Sequence, residues 1–290
     1  VHLAIVANIL AVIAMAWDLN GGYTGQDNLA SGFFAGTCGY VSAILTTAFG
    51  WPIAGSLIVG TVASAGAALL IGFPALRIKG PYLAILTFSV AEVARLVVIY
   101  FSGITQGEEG IGGIPRIFEG VMPNYYWSLF ILLCAYLILR AIMDSNLGLG
   151  FRAIAEDEIR AKTLGLDITR YKVLSFTICG LVCGFAGGIY AHYQAHIDPG
   201  FFSIVFAINI ISLAAVGGEK TLVGAVIGAY VLDFSAELLR FVTGPVAWVR
   251  MSLHGLTLVL VMLFLPGGIM SVVRDHLSES EESDTEDEEN

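Results

Sequence analysis

Charged residues are scarce in this chain. Asp, Glu, Lys and Arg make up 13% of its 290 residues, against 57% hydrophobic, and the mean hydropathy is +0.81. Soluble globular domains carry about a quarter charged residues, so that class is excluded and bilayer rules apply. No basic patch is available for a phosphate backbone, which excludes nucleic acid as a partner. No GxxxxGK[ST] phosphate cradle occurs, so the chain has no nucleotide site of that kind. Cysteines number four, and all of them, Cys38, Cys134, Cys179 and Cys183, stand in apolar stretches. Cys179 and Cys183 are one helical turn apart but lack a third cysteine or a histidine at ligand spacing. His192 and His196 share that interval without an HExxH pattern. Both pairs read as packing residues, and no metal or other cofactor is expected on this chain. Triplet periodicity is also missing, so the 34 glycines do not signal collagen and suit close helix contact in a membrane instead.

What is present is a series of apolar runs separated by short polar breaks. The chain opens VHLAIVANILAVIAMAW without a basic leader region or a small-residue cleavage site, so residues 3 to 17 read as a first span, somewhat short of about 20 residues. The polar, glycine-rich LNGGYTGQDNLASG follows, either an ordinary loop or a broken helix entrance facing a pore. Further spans are predicted over 29–49, 53–73, 81–101 with Pro81 in the first turn, Tyr125 to about Arg140 behind an aromatic cluster, 173–193, and 221–241. Residues 201–216 are marginal for a perpendicular crossing, and a last span runs from about 250 to 265. Residues 102–123 are too broken for a span and lack strand alternation. Gly180, Gly184 and Gly188 form a small-residue face at four-residue spacing.

Ionisable groups inside spans are costly, so each is a candidate for structure or function. Glu92 and Arg95 share one helical face, as an intramembrane structural pair or a solute contact. Asp233 and Glu237 also share a face, towards an aqueous lumen or the interface. The basic loops, Arg77/Lys79, 141–172, Lys220 and Arg274, all fall on one side in a topology of about nine crossing or re-entrant segments with the first end outside. The formal charge of −10 is concentrated at the end: residues 271–290 hold nine acids and one arginine. That tail reads as a disordered, solvated segment, and residues 1–270 as one transmembrane domain.

One long stretch breaks the apolar pattern. Nine of the twenty-two side chains in FRAIAEDEIRAKTLGLDITRYK, residues 151 to 172, are charged. The spacing predicts a single amphipathic helix over Arg152–Leu164, closed by a left-handed Gly165 at C′, with Asp167 or Thr169 capping the next helix. It reads as a docking element or as a solvated connector.

Several separated blocks resemble the larger permease of branched-chain amino-acid ABC importers: Gly22-Tyr23-Thr24-Gly25-Gln26, GFPALRIKGPYLAILTFSVAEVARL from 72 to 96, FRAIAEDEIRAKTLGLDITRYKV from 151 to 173, and AGGIYAHYQAHIDPG from 186 to 200. VGGEKTLVGAVIGA and LHGLTLVLVMLFLPGGI match in position and character; the acidic tail does not. The resemblance implies an all-α polytopic permease in a prokaryotic cytoplasmic membrane, with 141–172 as its cytoplasmic coupling region and the tail on the same side. It also implies a homologous second permease, two cytoplasmic subunits that bind ATP and Mg, an extracytoplasmic binding protein and an amino-acid solute. Its coupling positions map onto Ala153, Glu156, Asp157, Glu158, Ala161 and Gly165, with Ile159 and Leu164 as apolar contacts. Gly22, Tyr23, Thr24, Gly25 and Gln26, with Glu92 and Arg95, are the pathway candidates. Two departures bear on the solute: the family's GYTGQLSLGHA reads GYTGQDNLASG here, and its GGLGT reads Gly217-Gly218-Glu219-Lys220-Thr221. Urea, a short amide or another amino acid on the same architecture is one alternative. Another is a stand-alone secondary transporter relaying ions through Glu92, Asp233 or Glu237, without enzymatic activity in either case.

Overall fold

An apolar segment in hydrocarbon must satisfy every backbone N–H and C=O internally, and in this chain helices do so. The computed structural model describes residues 1–75, 80–243, 255, 259, 263 and 267–270. In chain order the helices are α1 (His2–Asn20), α2 (Ser31–Thr47), α3 (Ile53–Ala75), α4 (Pro81–Tyr100), α5 (Ser102–Thr105), α6 (Val121–Asp144), α7 (Asn146–Glu156), α8 (Glu158–Thr163), α9 (Ile168–Gln194), α10 (Ile204–Gly217) and α11 (Leu222–Thr243). Five of them, α1, α3, α4, α6 and α9, are long and apolar enough to cross a membrane. The sixth candidate is the pair α10 and α11, bent by 113° at a short break, which is a broken span or a re-entrant loop. The fold is all-α and polytopic. The nine expected segments include α2, only 17 residues long, and one span, 250–265, that lies mostly outside the described residues, as do Arg77, Lys79 and the tail from 271.

α1 is the hub of the bundle. Every residue from Ala7 to Asn20 is buried, and α6, α9, α10 and α11 pack around it. With lipid as apolar as leucine, polar and small side chains do the joining. Asn8 of α1 donates to Ser128 Oγ of α6 at 3.0 Å and accepts from the Tyr230 hydroxyl of α11 at 2.5 Å.

α9 packs along α1, α2 and α3, and its glycine face meets α2 and α3. A Cβ at Gly180 would fall 2.3 Å from Ala68 Cβ, at Gly184 2.5 Å from Ser64 Cβ, and at Gly187 2.4 Å from Ala35 Cα. Ser64 closes the seam by donating to the Gly180 carbonyl at 2.7 Å. The helices meet at backbone distance.

Residues 102–123 hold α5, a 3₁₀ turn, a two-residue strand and the start of α6, and no span, as the broken pattern suggests. One feature was not legible: β1 (Ile111–Gly112) pairs antiparallel with β2 (His196–Ile197). Two residues are too few to show alternation, and their partners are far away in sequence. Beside this ladder, buried His192 has Ser42 Oγ at 2.7 Å from Nε2 and the Pro115 carbonyl at 2.7 Å from Nδ1. A carbonyl only accepts, so Nδ1 carries the proton. His192→Ala removes both contacts and should cost roughly 1–3 kcal/mol. A thermal melt of the purified permease in detergent checks this; an unchanged midpoint would show that the clamp contributes nothing.

Candidate functional site

The charged region folds as two helices instead of the single one predicted over Arg152–Leu164. Ser145 starts α7, its Oγ accepting from Leu147 N at 3.2 Å. Phe151 and Ile154 bury one face of α7, and Phe151 meets the Tyr171 ring of α9 edge-on at 5.9 Å. The helix stops at Glu156 because Asp157 turns extended, φ −159° and ψ 105°. Its Oδ1 then accepts from Ile159 N at 2.8 Å and Arg160 N at 3.1 Å, which starts α8. Capping thus overrides the continuous amphipathic pattern. Gly165 follows α8 at φ +86°, and Asp167 caps α9 by accepting from Arg170 N at 3.2 Å.

This geometry sorts the predicted coupling residues. Ala161 is buried, whereas Ile159 and Leu164 are 74% and 79% exposed, two large apolar side chains projecting from a charged surface. Glu158 pairs with Lys172 at the start of α9, and Lys172 is nearly buried. Ala153 and Glu156 lie on α7, Asp157 at the joint and Gly165 at the exit. All eight residues occupy one end of the bundle.

Residues Gly22–Gln26 lie at that same end. Thr24 Oγ1 donates to the Leu19 carbonyl at 2.9 Å and lies 3.0 Å from Ser175 Oγ of α9. Gln26 donates to the Lys172 carbonyl at 3.3 Å, and both side chains are buried. Gly25, at φ +69°, sits against α7, where an added Cβ would be 3.4 Å from Ala155 Cα. The Tyr23 ring carries the Arg152 guanidinium 5.6 Å from its centroid, and burial pushes its hydroxyl up to about 12, so it stays protonated. A cavity of about 350 Å³ opens between Tyr23, Arg152, Ala155, Glu156 and Lys220.

Glu92 and Arg95 do not join this cluster. Their α4 is tied near it where Leu29 N donates to Thr87 Oγ1 at 2.9 Å, one to two turns away from the pair. They form a salt bridge of 2.6 Å, each side chain one-third exposed. Asp233 and Glu237 line a separate cavity of about 600 Å³ with His2, Val6, Tyr190 and Gln194.

One residue went unread in the sequence. Asp18, at the end of α1, is fully buried, and its Oδ1 accepts from the backbone N–H of Lys220 at 2.8 Å, in the turn between α10 and α11. Lys220 takes φ +62° there. A carboxylate closing a fifteen-residue apolar run was the available signal.

Two groups of residues thus meet at one end of the bundle, the exposed apolar pair of Ile159 and Leu164 and the buried polar side chains of Thr24 and Gln26. A family model described as branched-chain amino acid transport system / permease component matches residues 1–262. The high-affinity branched-chain amino acid transport system permease protein LivM of Salmonella typhimurium is 28% identical over 306 residues, covering 96% of this chain and 71% of the relative. LivH of Escherichia coli, the permease protein of a system with the same description, is 26% identical over 288 residues, 90% of each chain. A guanosine ABC transporter permease of Bacillus subtilis, NupQ, is 29% identical over 131 residues, 44% of this chain and 40% of its own. No solved structure matches. The chain belongs to the family of branched-chain amino acid transport system permease components.

Proposed function

We propose that this chain is one permease of an ATP-driven importer for branched-chain amino acids. It works beside a homologous second permease, with two ATP-binding subunits, one of them docked on α7 and α8, and a binding protein delivering solute at the opposite end. The family match over residues 1–262 carries the reading; exposed Ile159 and Leu164 supply its docking surface. That both LivM and LivH resemble the chain supports a pair of homologous permeases. On this account the α7–α8 end is cytoplasmic and the membrane is a prokaryotic cytoplasmic membrane. ATP and Mg bind the partner subunits, and their binding and hydrolysis favour different arrangements of the permease pair. The Glu92–Arg95 face of α4 is the pathway feature we carry forward, since an ion pair on a span is tolerated best where protein or water meets it.

The solute is tested on the binding protein. Tight binding of leucine, isoleucine and valine is expected; tight binding of urea, a short amide or guanosine with none of the three would overturn the solute assignment. Residues 271–290 should stand outside the cycle, since the acidic run 278–290 contains no apolar side chain with which to dock. Deleting 278–290 should leave uptake per inserted complex within about twofold, or about 0.4 kcal/mol in activation free energy. A tenfold loss at every salt concentration would show that the tail takes part.

A further inference from the structure

We propose that Asp18 and the segment Gly22–Gln26 form a strut that carries movement of the ATPase-facing helix α7 to the bend between α10 and α11. The proposal rests on the functional reading above and assigns a role to a segment that reading leaves free.

The contacts are continuous. At one end, Gly25 lies on Ala155 of α7 and Tyr23 carries Arg152, so a displacement of α7 meets the segment's backbone directly. Along its length the segment cannot fold away: Thr24 and Gln26 bond to Ser175 and Lys172 of α9, and Asn28 bonds to Asn20 of α1. Tyr23 N donates to the Asp18 carbonyl at 2.8 Å, and Gly25 N to the Gly21 carbonyl at 3.0 Å, which welds the segment to the end of α1. At the other end, Asp18 takes the Lys220 N–H at 2.8 Å.

The far end is where a small movement would be amplified. α10 and α11 meet at 113° across residues 218–221, and such a broken pair changes its angle by adjusting few torsions. Asp18 Oδ2 has no hydrogen-bond partner among the described residues, though it is fully buried. Leaving one oxygen of a buried carboxyl group without a hydrogen bond is costly, which marks the site as held for more than stability. Gly22 makes room for it: a Cβ there would fall 2.1 Å from Asp18 Oδ1. The buried, bonded side chains of Thr24 and Gln26 leave the segment few free polar groups for a solute.

A strut predicts uncoupling instead of simple loss. The complete importer, with both permeases, its ATPases and binding protein, is reconstituted in proteoliposomes, and [14C]leucine uptake and ATP hydrolysis are measured together. Asp18→Ala should lower leucine uptake per ATP at least tenfold while hydrolysis stays within about twofold of wild type. Asp18→Asn, whose amide oxygen still accepts from Lys220 N–H, should restore uptake per ATP to within about threefold. Gly22→Ala, which displaces the carboxylate by a different route, should uncouple as Asp18→Ala does, and it decides the matter if Asp18→Ala fails to insert. Lys220→Gly keeps the N–H and the positive φ, so wild-type coupling is expected. Unchanged uptake per ATP in both Asp18→Ala and Gly22→Ala, or uptake and hydrolysis falling in proportion, would overturn the strut. Absence of ATP-driven leucine uptake by the wild-type complex would instead overturn the functional reading on which it rests.

Discussion

Leucine at position 187 is expected to keep the folded permease from accumulating in the membrane. Gly187 sits where α9 crosses α2, and the first carbon of any side chain would lie 2.4 Å from both the Cα and the carbonyl oxygen of Ala35. Backbone atoms cannot rotate out of the way as a side chain can, so α9 and α2 must separate. Overpacking of this kind costs typically 1–3 kcal/mol when neighbours can shift, and more when the obstacle is backbone. Separation would propagate, because Gly180 and Gly184 hold α3 on the same helix through Ala68 and Ser64. Size-exclusion profiles and membrane abundance of Gly187→Leu, set against Leu181→Ala on the exposed side of α9, give the check. A monodisperse Gly187→Leu at wild-type abundance would show that the packing is looser than described.

The second large effect concerns the exposed apolar pair. Replacing Ile159 and Leu164 together with aspartate should detach the ATPase subunits while leaving the permease folded. Both side chains are largely exposed in the isolated chain, so the substitution removes little from its own core. Burial in a partner groove would be worth roughly 1.5–3 kcal/mol for each side chain, and a combined loss of about 3 kcal/mol or more weakens association over a hundredfold. Glu156→Lys with Glu158→Lys should act in the same direction by reversing the charge around the pair. Glu158 also pairs with Lys172, so that variant disturbs the α8–α9 junction as well and is the less clean of the two. ATPase co-purification with equal amounts of each permease is the measurement. Wild-type recovery with Ile159 and Leu164 replaced would remove α8 from the interface.

The long helices were legible because their signal is local and redundant. Hydropathy placed α1, α3, α4, α6 and α9, and punctuation refined them: Pro81 opens α4, and Asp167 caps α9. The break in the charged region was not read, although its cause was in view. Asp157 is a good N-cap, but an acidic residue among Glu156, Glu158 and Arg160 looks like one more solvated charge until its carboxylate is seen on two backbone N–H groups. The link from Asp18 to Lys220 spans 202 positions and uses a backbone donor, so no periodicity or spacing reports it. The grouping of Gly22–Gln26 with α7, and the separation of both from Glu92 and Arg95, are likewise products of tertiary packing. Sequence identified these residues individually; only packing shows which of them touch.

Whether this chain depends on partner ATPases is the claim on which the account turns, and reconstitution measures it directly. Proteoliposomes holding this chain alone are compared with proteoliposomes holding the full set of subunits, for [14C]leucine uptake with ATP, without nucleotide, and under an imposed proton or sodium gradient. Uptake is expected only in the full set, only with the binding protein present and only with hydrolysable ATP. Leucine accumulation by this chain alone under an ion gradient, with no nucleotide and no companion subunit, would contradict that dependence.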